Sequence, residues 1–229
     1  MNAFRLAAWR STTCAAASRW TTTSRLYSSS SRICSACSAP LPTALPTCPK
    51  CYHIEPLPSS STFFDLFGLQ RLQNPFKIDI KDLRRRFLQA QSICHPDAWS
   101  GKGEREQDIA AAQSSILNEA YKTLQSPVLR AQYILTQEGY PPSETDKLTD
   151  RELIMEIMET REELDEAESL EDVEQIRSKN QEKLEELIGG ITSLIEGRRW
   201  EEAGDAVVEL KYLEGIESAA KDKWDSLSR

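Results

Sequence analysis

Apolar positions along this chain recur at helical rather than alternating spacing. Ile80, Leu83, Phe87, Ala90 and Cys94 follow one another at intervals of three and four, which places them on one stripe of a helix. Asp79 is a suitable N-cap for that helix, with Asp82 in its first turn. Lys81, Arg84, Arg85 and Arg86 then fall largely off the stripe. A further helix is predicted over about 104–124, with Ile109, Ala112, Ile116, Ala120, Tyr121 and Leu124 inward. The two helices should lie antiparallel, joined by residues 95–103. Ahead of them, Phe63-Phe64-Asp65-Leu66-Phe67-Gly68-Leu69 reads as a short apolar helix ending near Gly68.

Gly139 and Pro141-Pro142 close the helix before the C-terminal region, where three more patterns follow near 149–167, 170–196 and 199–226. Leu170, Val173, Ile176, Leu184, Leu187, Ile191 and Leu194 line the second, and Ala203, Ala206, Val207, Leu210, Leu213 and Ile216 the third. An up-down three-helix bundle is the expected result. Gly189-Gly190 inside the second pattern marks a possible bend, since each glycine costs a helix about 1 kcal/mol against alanine. The first helix carries more apolar residues than a core stripe needs. Leu153, Ile157 and Leu164 suffice, which leaves Ile154, Met155 and Met158 for an exposed patch bordered by Glu159, Glu162 and Glu166, with Tyr212 able to extend it. On the residues alone, burial in the core is the commoner fate of such side chains.

Charge changes this picture by dividing the chain. The net charge of -8 over 229 residues splits into +5 for residues 1–61, +1 for 62–140 and -14 for 141–229. The acidic total argues against a nucleic-acid partner held through phosphates, and no apolar run approaches the length of a membrane span. Residues 1–32 of this basic head have five arginines and twelve Ser or Thr, and no acidic residue comes before Glu55. It lacks the apolar stretch of a secretory signal and has the composition of a mitochondrial transit peptide, which implies the mitochondrial matrix. Arg25-Leu26-Tyr27-Ser28 resembles the Arg-x-Tyr/Ser site of the matrix processing peptidase, giving a targeting segment over 1–27.

Residues 28–58 contain Cys34-x-x-Cys37 and Cys48-x-x-Cys51, two pairs separated by ten residues that include Pro40, Pro42 and Pro46. Four thiolates so spaced suit one tetrahedral zinc ion, and His53 is a possible substitute ligand. A redox motif of thioredoxin type would need a βαβ setting that the pattern lacks, and structural disulfides are disfavoured in a reducing compartment.

The joint after the basic helix opens with His95-Pro96-Asp97. Proline ends the preceding helix and holds an imidazole and a carboxylate on either side of a rigid turn. A Cys94-His95 nucleophilic pair is the rival reading, but adjacent residues at a helix end diverge by about 100°. Placed between a basic amphipathic helix and a second one, the tripeptide resembles that of a J-domain, with Ala98 where such domains usually carry lysine. That resemblance implies stimulation of ATP hydrolysis by a DnaK-type chaperone, with His95, Pro96, Asp97, Arg84, Arg85 and Arg86 meeting it.

Asn118-Glu119-Ala120-Tyr121-Lys122-Thr123-Leu124, Ser126-Pro127-Val128-Leu129-Arg130-Ala131-Gln132-Tyr133, Ile154-Met155-Glu156-Ile157-Met158-Glu159 and Phe64-Asp65-Leu66-Phe67-Gly68-Leu69 together are similar to the HscB family, the J-type co-chaperones of iron-sulfur cluster assembly. The similarity spans about 62–226. It implies an all-α fold: a J-domain helical hairpin over 62–138 and a C-terminal three-helix bundle over 143–229, preceded by the zinc-knuckle segment and the transit peptide. It further implies that Ile154, Met155, Met158 and Tyr212 bind the iron-sulfur cluster scaffold protein, with Glu159, Glu162 and Glu166 at the rim. The chain would then be an adaptor and not an enzyme. A general J-protein presenting unfolded clients, or a thiol oxidoreductase, are the alternatives.

Overall fold

The structure is a computed structural model that describes residues 32–70, 72–142 and 150–228. The targeting segment expected over 1–27, with Cys14, lies outside the described residues. Seven α-helices account for most of the rest: α1 (Phe63–Leu66), α2 (Ile80–Cys94), α3 (Glu104–Gln125), α4 (Pro127–Gln137), α5 (Arg151–Glu166), α6 (Leu170–Glu196) and α7 (Trp200–Leu227). A 3-10 turn, Pro96–Trp99, joins α2 to α3. Extended backbone among the described residues is limited to two isolated bridges in the cysteine segment. No described helix is long and apolar enough to cross a membrane.

Local chemistry sets where the helices begin. Thr62 and Asp65 form a capping box on α1, as do Ser169 and Asp172 on α6, while Asp79, Ser126 and Asp150 cap α2, α4 and α5. Each such cap satisfies backbone N–H groups that the first turn leaves unpaired. α1 ends where Gly68 turns left-handed at φ 66°. That backbone conformation favours glycine, and a Cβ there would press on the Arg86 guanidinium at 3.3 Å.

The hairpin core joins Leu66, Phe67 and Leu69 to Leu83, Ala90 and Cys94 of α2 and to Leu117, Ala120 and Leu124 of α3. Leu45 from the cysteine segment is fully buried in the same cluster. The bundle core joins Ile157 of α5, Leu184, Ile191 and Ile195 of α6, and Ala203, Val207, Leu210, Leu213 and Ile216 of α7. Phe76, Val128, Ala131, Ile134 and Leu135 enter that second cluster from the hairpin side. Hairpin and bundle therefore share apolar surface, and Asn74 adds a hydrogen bond across the join to the Thr192 carbonyl at 2.8 Å.

The inward face of α3 differs from expectation in its first half. Ala112 and Ile116 are exposed, and Ala110, Gln113, Ser114 and Leu117 are buried. The reason is a polar inner surface. Gln113 accepts from Thr47 Oγ1 at 2.6 Å and donates to the Glu55 carbonyl at 2.7 Å, while Ser114 receives a bond of 2.6 Å from Gln91. Side chains satisfied this way can be buried without an apolar signature, so apolar spacing alone selects a neighbouring register. Ile80 and Leu170, each at the first position of its helix, are also exposed. In α6 the buried Asn180 donates to the Leu213 carbonyl of α7 at 3.1 Å.

α6 runs unbroken through Gly189 and Gly190, both of them exposed, and a Cβ added to either meets no atom within 4 Å. With no packing role to oppose it, Gly189→Ala or Gly190→Ala should each add about 1 kcal/mol of stability, seen as a higher urea midpoint at unchanged slope. A lowered midpoint would show that the two glycines hold the helix in a shape that alanine disturbs.

Candidate functional site

Three groups of side chains stand out, and each is positioned by a different part of the fold. The first is the cysteine segment. Two turns of the same design lie against each other: Cys34 N–H donates to the Ala39 carbonyl and Cys48 N–H to the His53 carbonyl, with Ser38 and Tyr52 donating back to the carbonyls of Cys34 and Cys48. Ser38 and Tyr52 occupy equivalent positions and both are left-handed, at φ 55° and 58°. A non-glycine residue there is uncommon, and the two together curl each Cys-x-x-Cys pair around one point. The Sγ atoms of Cys34, Cys37, Cys48 and Cys51 all lie within 4.8 Å of one another, with Cys34 to Cys51 at 3.5 Å and Cys37 to Cys48 at 3.7 Å. A tetrahedral thiolate site with metal–sulfur bonds of about 2.3 Å spaces its sulfurs about 3.8 Å apart, so the donor set fits a metal ion. The thiols are free. Backbone N–H groups of Cys51 and then Lys50 point at the Cys48 sulfur and draw its thiol down to about 6, against the burial that opposes ionisation.

His53, the possible substitute ligand, is not part of this cluster. Its Nε2 lies 2.9 Å from the Glu55 carboxylate, which also accepts from Ser35 Oγ at 2.8 Å. Those two partners, His53 first, hold the Glu55 carboxyl below its ordinary range.

The second group is the tip of the hairpin. His95 ends α2 and caps the 3-10 turn, its Nδ1 accepting from the Asp97 N–H at 3.3 Å. Half of the His95 side chain and nearly all of Asp97 face solvent, with relative exposures of 50% and 92%. Trp99 closes the turn from inside: it is 1% exposed, and its indole N–H donates to the Ile93 carbonyl at 2.9 Å. Cys94 is fully buried in the hairpin core and desolvation pushes its thiol up to about 11. That removes the Cys94-His95 nucleophilic pair, because an attacking sulfur must be accessible and ionised.

The basic trio on α2 is not one face. Arg84 and Arg85 are both exposed, Arg85 pairing at the surface with Asp82 one turn back, whereas Arg86 turns inward. Arg86 donates to Asp82 at 2.7 Å and to the Phe67 carbonyl at 2.9 Å, closing the end of α1. Arg85 first and Arg86 second hold the Asp82 carboxyl below the usual carboxylate range.

The third group lies on the bundle. Ile157 and Leu164 are buried and Leu153 packs against the same core as expected, while Met155 and Met158 are 60% and 64% exposed. Ile154 is half-buried, and Glu159, Glu162 and Glu166 are exposed. Helical spacing of three and four makes Ile154, Met155 and Met158 neighbours on one face, with Glu159 and Glu162 a turn further on. Tyr212 of α7 is part-exposed and opens into a groove of about 550 Å³ shared with Arg161, Trp200, Val208 and Lys211. Arg161 and Lys211 were not anticipated from sequence. Nothing in helical periodicity distinguishes a cation beside a groove from one in open solvent.

These three groups, on one all-helical unit, can be set beside known proteins. A family model described as the HscB C-terminal oligomerisation domain matches residues 149–221. The iron-sulfur cluster co-chaperone protein HscB of Mus musculus is 33% identical over 172 residues, 75% of this chain and 74% of that protein. The crystal structure of human co-chaperone protein HscB superposes with a TM-score of 0.70 at 32% identity, covering 84% of this chain and 98% of that one. The chaperone HscB from Vibrio cholerae gives a TM-score of 0.64 at 27% identity, covering 73% of this chain and 99% of that one. With a relative of that identity matched over most of both chains, and the same helical architecture, the chain belongs to the HscB co-chaperone family.

Proposed function

We propose that this chain, in the mitochondrial matrix, binds an iron-sulfur cluster scaffold protein through α5 and α7 and delivers it to a DnaK-type chaperone, whose ATP hydrolysis the His95-Pro96-Asp97 turn stimulates. The observation that carries the reading is the pairing, on one unit, of an exposed turn at the hairpin tip with an exposed apolar patch on a bundle helix. A rigid turn presents His95 and Asp97 without the entropy of ordering a loop, and the methionines offer adaptable apolar contact. The names of the relatives, co-chaperones of iron-sulfur clusters, supply the cargo. The chaperone performs the chemistry on the nucleotide, and this chain acts on it as an activator. Residues 1–27 would be removed on import, 28–58 would hold zinc, 62–138 would meet the chaperone and 143–229 the scaffold.

The chaperone contact centres on the tripeptide and on the exposed Arg84 and Arg85, because Arg86 alone is turned inward onto Asp82 and the Phe67 carbonyl. His95→Gln should abolish stimulation of the chaperone ATPase while helical content and scaffold binding stay as they are, since the exposed His95 makes one cap bond to the Asp97 N–H at 3.3 Å, and losing a cap costs about 1 kcal/mol. Stimulation that survives the change would remove the assignment.

For the scaffold, Ala at Ile154, Met158 and Tyr212 together should weaken binding by orders of magnitude, because truncating each buried anchor of an interface costs about 2 kcal/mol or more. Thermal melts of the same triple variant should fall by much less than the loss of about 2–5 kcal/mol for each fully buried core residue, because Met158 is exposed and Ile154 and Tyr212 are only part-buried. A strongly destabilised variant with unchanged binding per folded molecule would place the scaffold elsewhere. Binding of unfolded peptides in preference to the folded scaffold would favour a general client-presenting role.

Metal analysis of the purified chain should find one zinc, held by Cys34, Cys37, Cys48 and Cys51, with no thiol-disulfide exchange activity. Each ligand must lose its proton to bind, so affinity should fall as the pH is lowered. A chain isolated under reducing conditions without metal would count against the site.

A further inference from the structure

The cysteine segment is not an appendage beside the hairpin. Leu45 is buried in the hairpin core, Thr47 bonds to Gln113 of α3 at 2.6 Å, and Ile54 packs with Ala110 around Trp99. Trp99 ends the 3-10 turn that begins at Pro96, so the segment reaches the residue that fixes the exposed tripeptide from inside. Besides Ile54, the segment touches Trp99 through Tyr52. Its ring meets the Trp99 indole edge-on, with centroids 6.1 Å apart at 79°, and Lys102 Nζ sits 3.6 Å above the Tyr52 ring centre. Lys102 is tied back to Trp99 by its own N–H, which donates to the Trp99 carbonyl at 3.0 Å.

Tyr52 directly follows Cys51, one of the four sulfur donors, and is held left-handed by its N–H bond to the Cys48 carbonyl at 3.0 Å. A tyrosine in that region is strained by about 1 kcal/mol or more and keeps the conformation only while its surroundings enforce it. A metal joined to Cys48 and Cys51 would close the turn that leads into it. Released sulfurs would allow Tyr52 to relax and leave the indole without its edge contact.

We propose that the four-cysteine segment braces the His95-Pro96-Asp97 turn through Tyr52 and Trp99, so that metal in the segment governs how well the turn engages the chaperone. Tyr52 and Trp99 are positioning residues here, since neither is part of the tripeptide itself. The proposal rests on the reading of the turn as the chaperone contact, but the brace has a signature of its own that needs no chaperone.

The test uses the full chain labelled with nitrogen-15, with the Trp99 indole N–H resonance identified by Trp99→Phe. Removing metal with a chelator should shift that resonance and speed its exchange with solvent, while the indole of Trp224, far along α7, keeps its position. Tyr52→Ala in the metal-loaded chain should reproduce the change at unaltered metal content, and Tyr52→Phe, which retains the ring edge, should restore the wild-type spectrum. In the chaperone assay, metal removal and Tyr52→Ala should each raise several-fold the concentration giving half-maximal ATPase stimulation, with scaffold affinity unchanged. An indole resonance indifferent to metal removal would overturn the brace without relying on any variant. So would a metal-loaded Tyr52→Ala chain with wild-type spectrum and stimulation. If the metal-loaded wild-type chain gave no stimulation at all, the proposed function would fall, and the indole response would still decide whether the brace exists.

Discussion

The burial of Phe76 beneath Arg130 is the interaction on which the arrangement of this molecule depends. Phe76 is 2% exposed and joins the bundle core, although it belongs to the loop between α1 and α2. Arg130 of α4 lies over its ring at 5.1 Å and donates to its carbonyl at 2.6 Å. The guanidinium is itself buried, and desolvation brings its pKa down to about 10. A second donor contact, to the Gln125 carbonyl at the end of α3, sets the cation against the negative end of a helix. Carbonyl dipoles thus offset part of the cost of burying a charge that has no carboxylate partner among the described residues. This contact ties the loop of the hairpin to the end of α3 and the bundle core, beside the apolar packing of α4 and the Asn74 bond to Thr192.

That constraint explains why two exposed features on different helices can serve one task. The hairpin tip is stiffened by Pro96 and by the Trp99 indole bond to the Ile93 carbonyl. The patch on α5 is carried by a helix whose opposite side, Ile157 and Leu164, is buried. Neither feature has to be ordered on binding, and the packing around Phe76 sets the separation between them. A scaffold on one and a chaperone on the other would meet at a distance fixed by this chain rather than by a flexible linker.

Much of this was legible in the sequence because apolar spacing is a direct record of burial. The helices α2, α3, α5, α6 and α7 follow from it, and so does a surplus of apolar residues on α5, but the exposure of Met155 and Met158 does not, because on the residues alone burial is the commoner fate. The cysteine pairs were legible because ligand spacing is local. What was not legible involved polar groups with distant partners. The inward turn of Gln113 needs Thr47 and Glu55, the inward turn of Arg86 needs the carbonyl of Phe67, and neither partner is marked by any periodicity. The reach of the cysteine segment to Trp99 is of the same kind. It joins residues 47 positions apart through ring geometry, and no spacing in the sequence marks Trp99, two residues past the tripeptide, as the keystone of the turn.

The central claim is that one copy of this chain holds both partners at once. The direct measurement is the mass, in solution and in the presence of ATP, of the species formed when this chain is mixed with a cluster scaffold protein and a DnaK-type chaperone. A single complex containing all three is expected, with scaffold retained as chaperone is added. Two binary complexes that displace one another would contradict the account.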